Sequence, residues 1–304
     1  MHSYYKAVWS LACAGRTENA ARLLAWVRRH AFDPATGDYR GEYPRGQGLD
    51  AVYPYPNAWL TIGAQKLGDF DISRRAADFL VTIQDTNSGG FRARLDATPE
   101  DAPQDVMSTS QAGLACLFTG RLGNARFAAH FLQSLMEAQP EPEKALYFVW
   151  RGGALRTDFK PEHARFFVLR ADEPLQWYFQ MGIAAAFLSR MSMASGERTH
   201  VETAKRYLEL AFRCSDAMYE TAQVGKVGWG AALVYQATGE ERYAQLAARV
   251  ADALLAQQNK DGSWHDTGGF THQSVTDNVT GEFVALLDEI VQGLSSRASG
   301  RGGS

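Results

Sequence analysis

Hydrophobic and polar positions divide the chain into two kinds of helical segment that alternate along it. Segments 109–118, 174–191 and 226–237 are apolar on almost every side, and a helix without a polar face must be buried on most sides. Segment 241–255 has polar residues on one side and an apolar stripe on the other, made of Tyr243, Leu246, Val250 and Leu254. Such a stripe predicts a helix with one face on the core and one face in water.

Glycine turns join each apolar segment to the striped segment that follows it. They contain Gly15, Gly68, Gly120, Gly196 and Gly239. Glycine tolerates the left-handed backbone that ends many helices, because it has no Cβ to clash. Five helical hairpins are therefore predicted, and segment 277–292 adds a sixth inner helix with no outer partner after it.

The alternation predicts an all-α fold in which apolar helices form an inner ring and striped helices surround them. We expect an α/α toroid of about six inner and five outer helices, with an open solenoid of the same hairpins as the structural alternative. The toroid is expected to be a single domain over residues 1–293, followed by a disordered Ser/Gly/Arg-rich tail at 294–304. A short inserted β-hairpin is expected within 144–159, around Gly152 and Gly153.

Charge and cysteine content narrow the classes of partner. The chain has 31 Lys plus Arg against 34 Asp plus Glu, so no global charge attracts it to nucleic acid or to anionic lipid. Its start lacks a signal-peptide pattern and no apolar run reaches membrane-spanning length, so we expect a cytoplasmic protein without membrane insertion. Cys13, Cys116 and Cys214 have no metal-ligand spacing. We therefore expect no metal and no cofactor; the oligomeric state is left open.

Two helix ends carry a further repeat, in which a glutamine precedes a polar turn, a glycine and an aromatic residue. Gln257, Gly262 and Trp264 resemble the Gln…Gly-x-Trp repeat of squalene cyclases and protein prenyltransferases, and 84–91 is a second copy that ends in Phe91. The segment TGEERYAQLAARVADALL (238–255) also resembles helical segments of toroidal glycoside hydrolases, sugar epimerases and polysaccharide lyases. The resemblance implies the toroid fold, which hosts several reactions. For Gln257 and Trp264 themselves we expect structural roles.

The resemblance to cyclases does not include their catalytic motifs. Squalene-type cyclases protonate their substrate with an Asp-x-Asp-Asp motif, whereas segment 69–72 here reads Asp-Phe-Asp-Ile. The zinc ligands of prenyltransferases and lanthipeptide cyclases have no visible Cys/His counterpart.

Loop lengths predict which face of the toroid is functional. Inner-to-outer turns are short, whereas the outer-to-inner connections 32–55, 85–105, 140–173 and 259–276 are long. Long loops on one face of a rigid scaffold are where binding and catalysis concentrate. The same face gathers the positive N-terminal ends of the inner helices.

Polar and aromatic residues at that face form the predicted site. The candidate catalytic residues are Asp105, Asp277, His272 and Tyr178, with Asp50 or Glu282 as substitute acids. The candidate substrate-binding residues are Asp50, Tyr53, Tyr55, Asn57, Trp59, Gln111, Trp150, Arg151, Gln176, Trp177, Lys226, Trp229 and Glu282. Each also has a structural interpretation: the acids can cap helices, the aromatic residues can pack the core, and Lys226 and Arg151 can be solvated.

Aromatic faces beside carboxylates suit a carbohydrate-like ligand, such as a small sugar or an oligosaccharide. We therefore expect a non-redox acid/base enzyme. Hydrolysis would need a carboxyl pair such as Asp105 and Asp277. Elimination or epimerisation of a uronic acid would need a base such as His272 or Tyr178, with Arg151 or Lys226 on the substrate carboxylate. A terpenoid-type cyclase or isomerase and a non-catalytic binding scaffold are the two alternatives.

Overall fold

Helices in two concentric layers make up most of the computed structural model, which describes residues 4–39, 49–98, 101–265 and 273–298. Side-chain surroundings are described for the same residues except 49–50, 273–274 and 297–298. Within these ranges the inner layer contains α1 (Tyr4–Cys13), α3 (Pro54–Lys66), α5 (Val106–Phe118), α7 (Phe179–Ser195), α9 (Gly225–Thr238) and α11 (Gln273–Ala298). The outer layer contains α2 (Thr17–His30), α4 (Phe70–Thr82), α6 (Leu122–Glu137), α8 (Arg198–Glu209) and α10 (Glu241–Ala256).

The inner helices close into a ring. Each one packs against the next inner helix in the chain, and α1 also packs against α11. This last contact confirms the α/α toroid and excludes the open solenoid. Burial follows the predicted division, since residues 225–235 of α9 are all buried, whereas α10 buries mainly its stripe of Tyr243, Leu246, Val250 and Leu254.

The five predicted glycine turns have the expected backbone. Gly15, Gly68, Gly120, Gly196 and Gly239 all have φ between 70° and 79°, a region that residues with a Cβ rarely adopt. These turns keep the inner-to-outer connections short and leave the long loops on the opposite face.

Small antiparallel strands stand within the long loops. The predicted hairpin is present as β3 (Val149–Arg151) and β4 (Ala154–Leu155), joined by two glycines with positive φ. Strand β1 (Gln104–Asp105), which leads directly into α5, pairs with β3. A second pair joins β2 (Ala145–Tyr147) to β5 (Val168–Arg170). The hairpin is therefore anchored beside the start of an inner helix.

Two predicted boundaries differ from the structure by five residues or more. The fourth inner helix begins at Phe179 rather than 174, because Leu175 has φ 56° and so interrupts a right-handed helix. Helix α11 continues to Ala298, five residues into the predicted tail, because Gly293 lies against Ala232 and Leu294 packs on the core. Residues 299–304 lie outside the described residues.

The glutamine repeat has a structural role. Gln84 donates to the carbonyl oxygens of Gly89 at 2.9 Å and Asn124 at 3.0 Å, and so ties its loop to α6. Gln257 donates to the Tyr219 carbonyl at 2.8 Å, and the Trp264 indole donates to the Leu254 carbonyl at 2.7 Å. The structural roles expected for Gln257 and Trp264 are confirmed.

Candidate functional site

A cavity of about 250 Å³ opens where the N-terminal ends of the inner helices meet. Every inner helix contributes a residue from its first three turns to the wall. The lining residues are Lys6, Tyr55, Met107, Phe179, Ala222, Gln223, Lys226, Val275, Asn278, Val279, Glu282 and Phe283. The cavity lies on the face that the loop lengths predicted.

Two lysines and one glutamate from three different helices meet in the cavity wall. One Glu282 carboxylate oxygen binds the Lys6 ammonium and the other binds the Lys226 ammonium. Only 5%, 6% and 10% of the Lys6, Lys226 and Glu282 side chains are exposed. We call these residues the Lys–Glu–Lys triad. Because the triad is buried, water screens its charges poorly.

Aromatic rings surround both ammonium groups of the triad. The Lys226 nitrogen lies 5.6 Å from the Tyr55 ring centroid and 5.4 Å from that of Phe179. The Lys6 nitrogen lies 5.8 Å from the Tyr55 centroid and 6.0 Å from that of Trp59. Ring faces attract cations without offering a hydrogen-bond acceptor.

The environment of Lys226 disfavours its protonated form. Burial lowers the pKa of this lysine well below its ordinary value, and the positive charge of Lys6 lowers it further. Glu282 opposes this shift, but it divides its carboxylate between two ammonium groups. Lys226 therefore gives up a proton more readily than an exposed lysine does.

Three tryptophans lie one helical turn below the triad. Trp9, Trp59 and Trp229 follow Lys6, Tyr55 and Lys226 by three or four residues, which places them on the same helix faces. The ring centroids of Trp9 lie 4.6 Å from Trp59 and 6.1 Å from Trp229. All three rings are buried, and we call them the tryptophan floor.

Below the tryptophan floor, a second glutamate holds a second group of cations. Glu289 follows Glu282 by seven residues, accepts a hydrogen bond from Trp229 at 3.2 Å, and binds Arg190 and, at 3.7 Å, Lys66. It is 1% exposed. The ring interior thus has one charged cluster above the floor, in the cavity wall, and another one below.

The predicted catalytic acids have different surroundings. Asp105 caps α5: its carboxylate accepts from the Ser108 amide and the Ser108 hydroxyl, each at 2.7 Å. Asp277 is exposed on α11. Neither lines the cavity formed by the described residues, so their catalytic pairing stays a prediction, and capping is the role observed for Asp105.

The other candidate catalytic residues do not reach the cavity in the described part of the chain. Tyr178 is fully buried and donates to the Glu173 carbonyl at 3.3 Å, while its neighbour Phe179 lines the wall instead. His272 lies outside the described residues, as does the side chain of Asp50.

Three predicted binding residues line the cavity, namely Tyr55, Lys226 and Glu282. The interpretation of Lys226 as a solvated residue is wrong, because its side chain is only 6% exposed. Trp59 and Trp229 belong to the tryptophan floor instead. Gln111 is fully buried one turn below Met107, and its amide has no hydrogen-bond partner among the described residues.

The remaining predicted binding residues organise the loops. Tyr53 and Asn57 both donate to the Asp38 carboxylate, Asn57 at 3.1 Å, and so fasten the preceding loop to α3. Arg151 forms a bidentate pair with exposed Asp101 at 2.9 and 2.6 Å. Gln176 accepts from the Arg170 amide at 3.1 Å, and Trp150 packs edge-on against Phe131.

Trp177 packs between a cavity-lining ring and an exposed one. Its ring centroid lies 5.7 Å from that of cavity-lining Phe179 and 5.2 Å from that of Phe166. Phe166 is 44% exposed. Aromatic surface therefore continues from the cavity wall to solvent.

Sequence reasoning missed Lys6, which completes the triad. A signal was present, since Lys6 is the one charged residue in the otherwise apolar helix YYKAVWSLAC. A single lysine in a helix that must be buried needs a buried partner. The same argument would have selected Lys226 and Glu282 together.

The pKa of Asp105 provides a pH-dependent test of its capping role. Burial raises this pKa from 3.8 to about 6, against the hydrogen bonds from Ser108 that lower it. Because the folded pKa lies above the unfolded one, the contribution of this carboxyl to stability is greatest below about pH 4 and is lost as pH rises through about 6. Asp105→Asn keeps the cap and has no such loss. Between pH 4 and 7.5, its free energy of unfolding should gain about 2–3 kcal/mol relative to wild type, as measured by urea denaturation.

Asp105→Ala is the matched control for the cap. It should cost about 1 kcal/mol relative to Asp105→Asn at every pH, because it removes the acceptor of the α5 amides. A stability difference between wild type and Asp105→Asn that stays constant with pH would contradict the buried, titrating carboxyl.

Neither protein-family models nor curated protein sequences give a match to this chain. Solved structures do match in fold. A D-mannose isomerase has a TM-score of 0.68 at 11% identity, covering 95% of this chain and 86% of its own. A family 76 α-mannanase of Bacteroides thetaiotaomicron has a TM-score of 0.65 at 12% identity, and the match covers 98% of this chain and 85% of the mannanase. An unsaturated glucuronyl hydrolase specific for heparin has a TM-score of 0.64 at 10% identity, and the match covers 95% of this chain and 85% of the hydrolase.

These similarities place the chain among the α/α toroids. At such identities they establish the fold, and a shared fold does not by itself carry an activity. None of the described helices has the length and apolar character needed to cross a membrane. Within the described residues, no three His, Cys, Asp or Glu side chains are grouped as a metal site would require.

Proposed function

We propose that the protein is a non-redox acid/base enzyme that binds a carbohydrate-like substrate with a carboxylate group in the cavity of the inner ring. The observation that carries the proposal is the Lys–Glu–Lys triad, in which one carboxylate is shared by two buried ammonium groups. The N-terminal ends of six inner helices add positive potential at the same place. A substrate carboxylate would supply the negative charge that this wall attracts.

The lining of the cavity offers both ring faces and polar groups to a sugar ring. Tyr55, Phe179 and Phe283 offer faces for C–H stacking, while Gln223 and Asn278 offer amides for hydroxyl groups. The volume of about 250 Å³ is below the roughly 300–1,000 Å³ of pockets for drug-sized ligands. One ring, such as a uronic acid, suits this space better than a polyene does.

The triad can also perform proton transfer. Lys226 loses its proton readily, and Glu282 lies against it to accept or return that proton. Lys6, which binds the other oxygen of Glu282, would contact the substrate carboxylate. The names of the structural neighbours include an isomerase, a glycan hydrolase and a glucuronyl hydrolase, which supports acid/base chemistry on a sugar. Elimination, epimerisation and hydrolysis are all within this proposal.

The test compares charged and neutral sugars by isothermal titration calorimetry. D-glucuronate and D-galacturonate should bind at least about tenfold more tightly than D-glucose and D-galactose, since a charged hydrogen bond contributes about 1.5–3 kcal/mol. Lys6→Met should remove most of this preference while leaving Glu282 paired with Lys226.

Lys205→Met is the matched control, because Lys205 lies on the outer helix α8 and pairs there with Glu202 and Glu240. It should leave the preference for uronates unchanged. Equal affinity for uronates and neutral sugars, or an equal effect of the two lysine substitutions, would contradict the proposal.

A further inference from the structure

We infer that Lys226 is a nucleophilic lysine that forms an imine with the carbonyl group of an open-chain sugar acid or 2-oxo acid, with Glu282 transferring the proton. This inference rests on the proposed function, because it takes the same cavity and the same anionic class of substrate. It adds a covalent intermediate, and with it a choice among the three reactions left open above.

The backbone of Lys226 is held rigidly. Gly182 of α7 lies so close that a Cβ there would be 2.0 Å from the Lys226 carbonyl carbon and oxygen. Gly228 and Gly230 likewise allow α9 to approach α10, α11 and α7 closely. The backbone contact fixes where the Lys226 side chain begins, and the Glu282 carboxylate holds its amine in the cavity wall, where a bound carbonyl can be attacked.

The amine of Lys226 is surrounded by groups that leave it reactive. Its nitrogen contacts the Glu282 carboxylate and faces the Tyr55 and Phe179 rings. The rings exclude water without hydrogen-bonding the amine's lone pair. Burial and the neighbouring Lys6 lower the pKa of Lys226, and desolvation beside a second cation is how proteins activate lysine for imine formation.

The proposed step balances in atoms and charge. Glu282 takes a proton from the Lys226 ammonium, and the free amine attacks the carbonyl carbon. As the C–N bond forms, the C=O π bond breaks and its oxygen takes a proton from the attacking nitrogen, which gives a neutral carbinolamine. Glu282 then protonates the hydroxyl of this carbinolamine, which leaves as water while the C=N bond forms. One ammonium and one carbonyl compound thus give one protonated imine and one water. Lys6 pairs with the substrate carboxylate throughout.

An imine at Lys226 selects among the reactions. A protonated imine withdraws electrons from the neighbouring C–H bond and makes its proton easier to remove, which serves isomerisation, epimerisation or elimination. Hydrolysis of a glycosidic bond needs no carbonyl group at the reacting carbon. The inference therefore places the enzyme with isomerases or lyases and away from hydrolases.

The test is reductive trapping on the full-length protein. Pyruvate and D-glucuronate serve as anionic carbonyl probes and hydroxyacetone as a neutral one, each with sodium cyanoborohydride at pH 7, followed by peptide mapping. A lowered pKa increases the neutral fraction of the Lys226 amine at pH 7. Adducts of the anionic probes should therefore form on Lys226 at least about tenfold faster than on the exposed Lys160, and faster than those of hydroxyacetone.

Two variants separate this inference from the proposed function. Lys226→Arg keeps the positive charge but cannot form an imine, so it should lose the adduct and still bind D-glucuronate in calorimetry. Lys6→Arg should keep the adduct on Lys226. Tight uronate binding with no adduct on Lys226 overturns the inference alone, whereas absence of uronate binding overturns the proposed function as well. An adduct spread evenly over Lys226 and the exposed lysines also overturns the inference.

Discussion

Gly182→Ala is expected to lower the free energy of unfolding by about 3 kcal/mol or more, at the upper end of the cost of overpacking a core. The added Cβ would lie 2.0 Å from the backbone carbonyl of Lys226, and no side chain there can move aside. Helices α7 and α9 would have to separate, and this separation would move Lys226 away from Glu282. We therefore expect loss of uronate binding together with loss of stability, measured by calorimetry and by guanidinium denaturation followed by tryptophan fluorescence.

Gly123→Ala is the control for this substitution. Gly123 lies in the outer helix α6, and a Cβ there would meet nothing within 4 Å. Alanine should raise stability by about 0.5–1 kcal/mol, because it restricts the unfolded chain and favours a helix. If the two alanine variants were equally stable, the close approach of α7 and α9 would be wrong.

Local patterns were sufficient to predict the architecture. The five glycine turns require positive φ, and the stripe of Tyr243, Leu246, Val250 and Leu254 requires one buried face; both requirements act within a few residues. The face with the long loops followed from the same segment boundaries. The start of α7 was misplaced because the left-handed Leu175 has no residue type that signals it.

The site depends on contacts that no local pattern contains. Lys6 and Glu282 are 276 residues apart and meet only because α1 packs against α11 when the ring closes. The sequence predicted a capping role for Asp105, but it could not show whether the carboxylate also lines the cavity, because that depends on how the helices pack. Ring closure brings the charged residues of the cavity together. The candidate residues, in contrast, were selected from the sequence because they lie near the starts of helices.

Glu282→Gln is expected to destabilise the protein by about 3–5 kcal/mol at pH 7, because removal of one partner leaves buried charge without compensation. The loss should shrink as pH rises. Without the carboxylate, the folded pKa of Lys226 falls further below the unfolded value, so the unfolded state binds more protons and stability increases with pH. Urea denaturation of the variant between pH 6 and 9.5 measures this slope. A loss independent of pH would contradict it.

Glu289→Gln separates the two charged clusters. Glu289 is more fully buried than Glu282 and also binds two cations, but it lies on the other side of the tryptophan floor. Because the Arg190 and Lys66 side chains are 24% and 26% exposed, its substitution should cost less stability than Glu282→Gln does. Uronate affinity per folded molecule should stay unchanged, whereas Glu282→Gln should reduce it by disturbing Lys6 and Lys226. Equal losses of affinity would mean that the floor does not isolate the cavity.

Replacement of the whole Lys–Glu–Lys triad tests whether the triad serves ligand binding or the stability of the fold. Lys6→Met, Lys226→Met and Glu282→Leu together remove all three charges and keep similar side-chain volumes. Exchange of a buried ion pair or triad for well-packed apolar residues is often neutral or stabilising by about 1–4 kcal/mol, so this variant should be at least as stable as wild type and should bind no uronate. A chain that would gain stability without the triad retains it for what the charges do to a ligand. If the triple variant were instead as unstable as Glu282→Gln, the triad would be part of the core of the ring, and the case for a binding site there would lose its main support.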